Sequence, residues 1–268
     1  MNIRTLKAFL RRDFREAVSY KYAFFSSLAG IFFSSATFYF IARLVGGDVP
    51  ELAAYGGDYF AFAVIGVAFS GLLGIFQEGL PSVIRTAQIS GTLEAVLVSR
   101  ASVPTILLGS SLYSLSFQVV RTFVFLAVAS LVFGLELQNA DWAGITAVFL
   151  LTSVCFFSLG LLAAGFILVY KKGNPLGWIF GTVSGLFGGV VFPVAVLPGW
   201  LRWISSLLPI TYALDGFRLS LLRSAGPTHL IRELSALAVF DVLLLPAGLY
   251  VFKLALRKAK KDGTLTHF

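Results

Sequence analysis

The stretch WAGITAVFLLTSVCFFSLGLLAAGFILVY, residues 142–170, carries no charged side chain. It is longer than the ~20 helical residues needed to cross a hydrocarbon core ~30 Å thick. Its apolar residues are continuous rather than alternating, which excludes a strand of a transmembrane barrel. In hydrocarbon a segment must satisfy its own backbone polar groups, so this one is read as a membrane-spanning helix.

Five further blocks read the same way, and the spans are drawn at 22–42, 59–76, 103–133, 142–170, 176–197 and 234–252. The 268 residues are 57% hydrophobic and 13% charged, where a soluble domain carries roughly 25% charged residues. The expected fold is an all-α integral membrane protein with six transmembrane helices. The third and fourth spans exceed the bilayer and are expected to tilt or project. Pro104 falls in a first turn, where a missing N–H costs little. Pro246 lies inside the sixth span and is expected to kink it.

Residues 1–21 do not read as a signal peptide, because no short apolar region follows the start. Ile3, Leu6, Leu10, Phe14 and Ala17 recur every three or four positions, with Arg4, Lys7, Arg11, Arg12 and Arg15 between them. This pattern fits either a basic amphipathic helix in the headgroup layer or a merely charged flank. The domain reading is an interface helix over 1–21, a six-span transmembrane domain over 22–258 and a basic tail over 259–268. With both ends on the cytoplasmic side, inner segments hold fifteen lysines and arginines and outer segments five, which satisfies the positive-inside rule. The net charge of +8 thus reads as topology and gives no ground for a nucleic-acid partner.

Residues 192–218, FPVAVLPGWLRWISSLLPITYALDGFR, are too apolar for a solvated loop. Pro193, Pro198 and Pro209 break them too often for a straight span. Trp200 and Trp203 are three apart, as on one face of a short interfacial helix. The expectation is a pair of short re-entrant helices between spans five and six, with the arginines at the headgroups. Between spans two and three, RTAQISGTLEAVLVSR (85–100) suits either a short surface helix starting near Gly91, with Glu94 in its first turn, or an ordinary loop.

Gly177, Gly181, Gly185 and Gly189 recur every four residues, and Gly66, Ser70 and Gly74 repeat the pattern in the second span. Small residues at this interval permit close helix approach, whether as static packing or as a surface that slides. Arg121 and Asp241 stand inside spans, where charge needs a partner or a cavity. They are read as facing the bundle interior, paired with each other or touching a substrate.

No GxxxxGK[ST] phosphate loop occurs, His229 and His267 are far apart, and Cys155 is the one cysteine. Neither a metal site nor an enzyme's constellation is read here.

GTLEAVLVSR after the second span and LPGWLRWISSLLPITYALDGFR before the last resemble the permeases of type-2 ABC exporters. The resemblance covers nearly the whole chain. It implies a coupling helix around Gly91, Thr92, Leu93, Glu94 and Arg100 that docks on a separate ATPase, with residues 2–20 as a connecting helix. It implies an outer exit capped by the segment containing Pro193, Pro198, Trp200, Trp203, Pro209, Tyr212 and Asp215. It further implies two ATPase subunits that hold ATP and magnesium, none being bound by this chain, and a second, identical permease chain. The location would be a bacterial or archaeal inner membrane, and the cargo hydrophobic or amphipathic: a drug, lipid or glycolipid. The alternatives are a secondary transporter that uses Asp241 or Arg121 as an ion relay, and a membrane scaffold without transport.

Overall fold

A computed structural model describes residues 21–46, 49–89, 91, 103–137, 140–170 and 174–261. Among these residues every regular element is helical. In chain order they are α1 (Lys21–Val45), α2 (Tyr59–Ile89), α3 (Val103–Phe133), α4 (Trp142–Tyr170), α5 (Pro175–Phe187), α6 (Gly199–Ser206), α7 (Pro209–Leu222) and α8 (Ile231–Lys261). Short 3-10 turns cover Pro50–Tyr55, Val194–Val196 and Pro227–His229.

Helices α3 and α4 have the limits read from the sequence; α2, α5 and α8 do not. Helix α2 continues through Pro81 to Ile89, so residues 85–89 belong to it rather than to a loop. Pro81 has no N–H to return to the Gln77 carbonyl. Gln77 is buried there, and its side chain donates to the Gly177 carbonyl at 3.2 Å. Tertiary contact offsets the break. Gly91 follows with φ +66 and donates its N–H to the Gln88 carbonyl, which closes α2.

Helix α5 stops at Phe187, ten residues short of the expected span end. Gly188 caps it and Gly189 takes φ +75, a conformation that turns the chain away from the helix axis. Helix α8 exceeds the expected 234–252, and Lys261 still lies inside it. The basic residues of its last turns suit the negative end of the helix dipole.

Helices α2 and α4 form the centre. Helix α3 packs on α2, α8 lies along α4, α1 leans on α2 and α3, and α5 touches α4 and α2. Phe62, Ile65, Leu73 and Leu80 of α2 and Ile167 and Leu168 of α4 are fully buried. At the α4–α8 crossing a Cβ on Gly248 would stand 2.8 Å from the Ser158 carbonyl oxygen, so the backbones meet through a small residue. Gly248→Leu should therefore separate these helices at a cost of about 1–3 kcal/mol. A lowered melting temperature of the detergent-purified protein would register it.

The outer surface carries many large apolar side chains. Leu44 and Leu131 are each 87% exposed, and Trp178 and Val242 more than two-thirds. Tyr59–Ile89, Ser116–Phe133, Trp142–Tyr170 and Ile231–Ala259 are long and apolar enough to cross a membrane, while Ala29–Val45 and Pro175–Phe187 are shorter apolar helices. Apolar surface on this scale needs lipid or protein against it.

Candidate functional site

The chain between α5 and α8 folds over the end of the bundle where α2, α4 and α8 begin. Pro209 supplies the fixed φ of the first turn of α7, and α7 packs across α4, α8 and α2. Phe217 stacks on Phe69 of α2 with ring centroids 3.9 Å apart. The next residue, Arg218, is 1% exposed. Its Nε donates to the Phe62 carbonyl at 3.1 Å, and its Nη2 donates to the Val190 carbonyl at 2.8 Å. Its guanidinium carbon lies 3.4 Å from the centre of the Phe62 ring, which adds a cation–π contact.

One residue thus ties three elements: α7, the start of α2 and the turn after α5. A Cβ on Gly66 would overlap both the Val190 carbonyl oxygen and the guanidinium. Glycine at this position is what lets the turn reach α2.

Beside this tie, the Tyr55 hydroxyl donates to Asp215 Oδ1 at 2.7 Å. Burial first, then the Asp215 charge, push the Tyr55 phenol up from its ordinary value, so it stays a neutral donor. Arg223 Nη2 donates to the Ala53 carbonyl at 2.6 Å. The Asp141 N–H donates to the Ser220 carbonyl at 2.9 Å. The segments preceding α2 and α4 are therefore both hydrogen-bonded to α7.

The residues singled out in this segment separate into two groups. Pro193 leads into the 3-10 turn, and Pro198 leads into α6. Trp200 and Trp203 are largely exposed on α6. Pro209 is buried, Tyr212 Oη donates to the Ser206 carbonyl, and Asp215 meets Tyr55. Of the arginines expected at or near the outer headgroups, Arg218 is buried within the protein rather than exposed on its surface. The i, i+3 spacing of Asp215 and Arg218 was the available signal for it, while Tyr55 and the two accepting carbonyls gave none.

Arg121 and Asp241 are not brought together: α3 packs on α2 and α1, whereas α8 packs on α4 and α7. Asp241 lies near Cys155 of α4, and its buried Oδ1 has no hydrogen-bond partner among the described residues. The four glycines at 177, 181, 185 and 189 do not form one packing stripe within a single chain, and only the first three lie in α5. Gly177 N–H is capped by the Asn174 side chain at 2.9 Å, Gly181 and Gly185 face open space, and Gly189 lies beyond the helix. Gly91 closes α2, while Thr92, Leu93, Glu94 and Arg100 lie outside the described residues, as does the expected helix over 1–20. Among the described residues no cluster of His, Cys, Asp or Glu could hold a metal ion.

A helical bundle with an apolar exterior and several spanning-length helices is a multi-pass membrane protein. Residues 4–222 match the model of the ABC-2 type transporter family, and the chain belongs to that family. It is 25% identical over 209 residues to the inner membrane transport permease YadH of Escherichia coli, covering 77% of this chain and 79% of that protein. It is 26% identical over 193 residues to nodulation protein J of Sinorhizobium fredii, covering 70% and 71%. The protein is a membrane-embedded transport permease.

Proposed function

We infer that this chain is the permease subunit of an exporter driven by ATP, which is hydrolysed with magnesium on two separate ABC ATPase subunits. The observation that carries this reading is the family match over residues 4–222. Two identical permease chains would form the pathway, each with six spans and with both termini in the cytoplasm. The open faces of Gly181 and Gly185 support a second copy there, because small residues suit helix contact better than lipid. The apolar walls and scarce intramembrane charge support a hydrophobic or amphipathic cargo.

In this reading residues 91–100 are the coupling segment, and residues 2–20 complete the surface on which the ATPase docks. ATP binding would draw the ATPases together and push the coupling segments. The block around α6 and α7 would cap the exit; its buried tie through Arg218 supports a unit that moves with the start of α2.

Glu94→Arg tests the coupling assignment. In the reconstituted complex it should abolish stimulation of the ATPase by the permease while permease folding, judged by size-exclusion profile, persists. Full stimulation in that variant would remove residues 91–100 from the docking surface. Transport that proceeds without any ATPase would favour an ion-gradient carrier instead.

A further inference from the structure

A cavity of about 260 Å³ opens between α1, α2 and α3, and Arg121 lines it. Its lining residues, such as Ser34, Ser70 and Gln118, lie well inside all three helices. It therefore opens on the flank of the bundle rather than at an end. Arg121 stands twelve residues before the end of α3 at Phe133, about 18 Å along the helix axis. A cation at that depth is costly unless something answers its charge. Among the described residues the guanidinium has no hydrogen-bond or ion-pair partner, and no acidic residue lines the cavity.

The neighbouring polar groups sharpen the chemistry. Ser70 donates its hydroxyl to the Val67 carbonyl at 3.1 Å, and Thr122 donates to the Ala68 carbonyl at 3.4 Å. Their protons are thus engaged. The donors left facing the space are the guanidinium of Arg121, the amide of Gln118, which lies against Gly71, and the hydroxyl of Ser34. A cation flanked by two neutral donors selects an acidic oxygen group, and a guanidinium suits the planar fork of a carboxylate or two oxygens of a phosphate. The remaining wall includes Ile31, Val67 and Phe125. The volume falls short of the ~300–1,000 Å³ that encloses a drug-sized ligand, so a headgroup fits while an attached chain lies outside, along the apolar flank.

We propose that this cavity binds the phosphate or carboxylate headgroup of an anionic membrane amphiphile, with Arg121 as the charged contact and Gln118 and Ser34 as supporting donors. The opening faces hydrocarbon depth, which an acyl-anchored anion reaches along the bilayer and a free inorganic anion does not. The site stands on the cavity alone and applies to an amphiphile that is cargo and to one that stays bound.

The test is retention of dioleoylphosphatidic acid by the purified full chain in neutral detergent, measured by native mass spectrometry. Dioleoylphosphatidylcholine and inorganic phosphate serve as the other two probes. The wild-type chain should retain the phosphatidic acid in preference to the choline lipid. Arg121→Gln should lower that retention roughly tenfold, the scale of one charge-assisted contact, and Arg121→Lys should restore most of it. Gly30→Leu keeps the charge and fills the space, since a Cβ at Gly30 meets nothing within 4 Å; it too should lower retention. It carries the test if Arg121→Gln fails to fold.

Equal retention in wild type and Gly30→Leu, or equal retention of both lipids, would overturn the proposal. So would inorganic phosphate that binds with the same Arg121 dependence and displaces the lipid. Loss of dimers in Arg121→Gln with lipid retention unchanged would also overturn it, assigning the residue to contact between copies.

Discussion

Replacing Arg218 with leucine is expected to cause a large loss of stability for a single substitution at the α7 end of the bundle. The side chain is buried, and its removal strips the donor from the Val190 carbonyl where water cannot replace it, while the Phe62 carbonyl keeps its α2 ladder bond and loses only a second, charge-assisted one. Each unsatisfied buried group costs about 1–3 kcal/mol, and the cation–π contact with Phe62 adds to the loss. The sum is a substantial share of the 5–15 kcal/mol by which an ordinary domain is stable. Lysine should rescue poorly, because one ammonium cannot reproduce the fork that reaches two carbonyls on different elements. Tyr55→Phe removes a single hydrogen bond but leaves a buried Asp215 oxygen without it, and should cost about 1–3 kcal/mol. Thermal unfolding in detergent, followed by loss of the monodisperse size-exclusion peak, would rank the three. An Arg218→Leu protein that melts with wild type would mean that the tie carries no weight.

The second large effect is expected from the opposite partner. Gly66→Val places a Cβ on top of the Val190 carbonyl oxygen, and a backbone atom has no rotamer by which to move away. The turn after α5 must lift from α2, and Arg218 then loses its Val190 contact. The loss should match that of Arg218→Leu. The two substitutions share their target, so the double variant should cost clearly less than the two single losses added together. Full additivity would show that Gly66 and Arg218 act on separate features. The same thermal measurement on the four proteins decides this.

The helices that the sequence revealed best are those whose limits follow from local chemistry. Helices α3 and α4 are long, predominantly apolar runs followed by polar, glycine-containing stretches, and hydropathy finds their limits even with Arg121 inside α3. Helix α5 defeats that reasoning because residues 188–197 remain apolar after the helix stops; the Gly188-Gly189 pair is the physical break, and hydropathy does not register it. Helix α2 fails in the other direction. Gln77 and Glu78 end the apolar run at residue 76, and the Gln77 contact with α5 belongs to a helix that continues through Pro81 to Ile89.

The site was legible only in part. The proline spacing and the paired tryptophans marked residues 192–218 as neither loop nor span, and they resolve into a 3-10 turn, α6 and α7. What the segment does to the bundle was not legible, because the acceptors of Arg218 are main-chain carbonyls, which every residue possesses. Arg121 and Asp241 were legible as anomalies but not as neighbours or strangers. Their relation depends on which helices touch, and the order of spans along a chain does not specify that.

The most direct test of the proposed function is ATP-dependent transport by the full chain reconstituted in proteoliposomes with a candidate ABC ATPase subunit. A fluorescent amphiphile should move to the ATPase-distal side only when the ATPase and hydrolysable ATP are both present. An ATPase-inactive partner should stop it. Transport at an undiminished rate without the ATPase, driven by an imposed ion gradient, would contradict the reading of this chain as an ATP-driven permease.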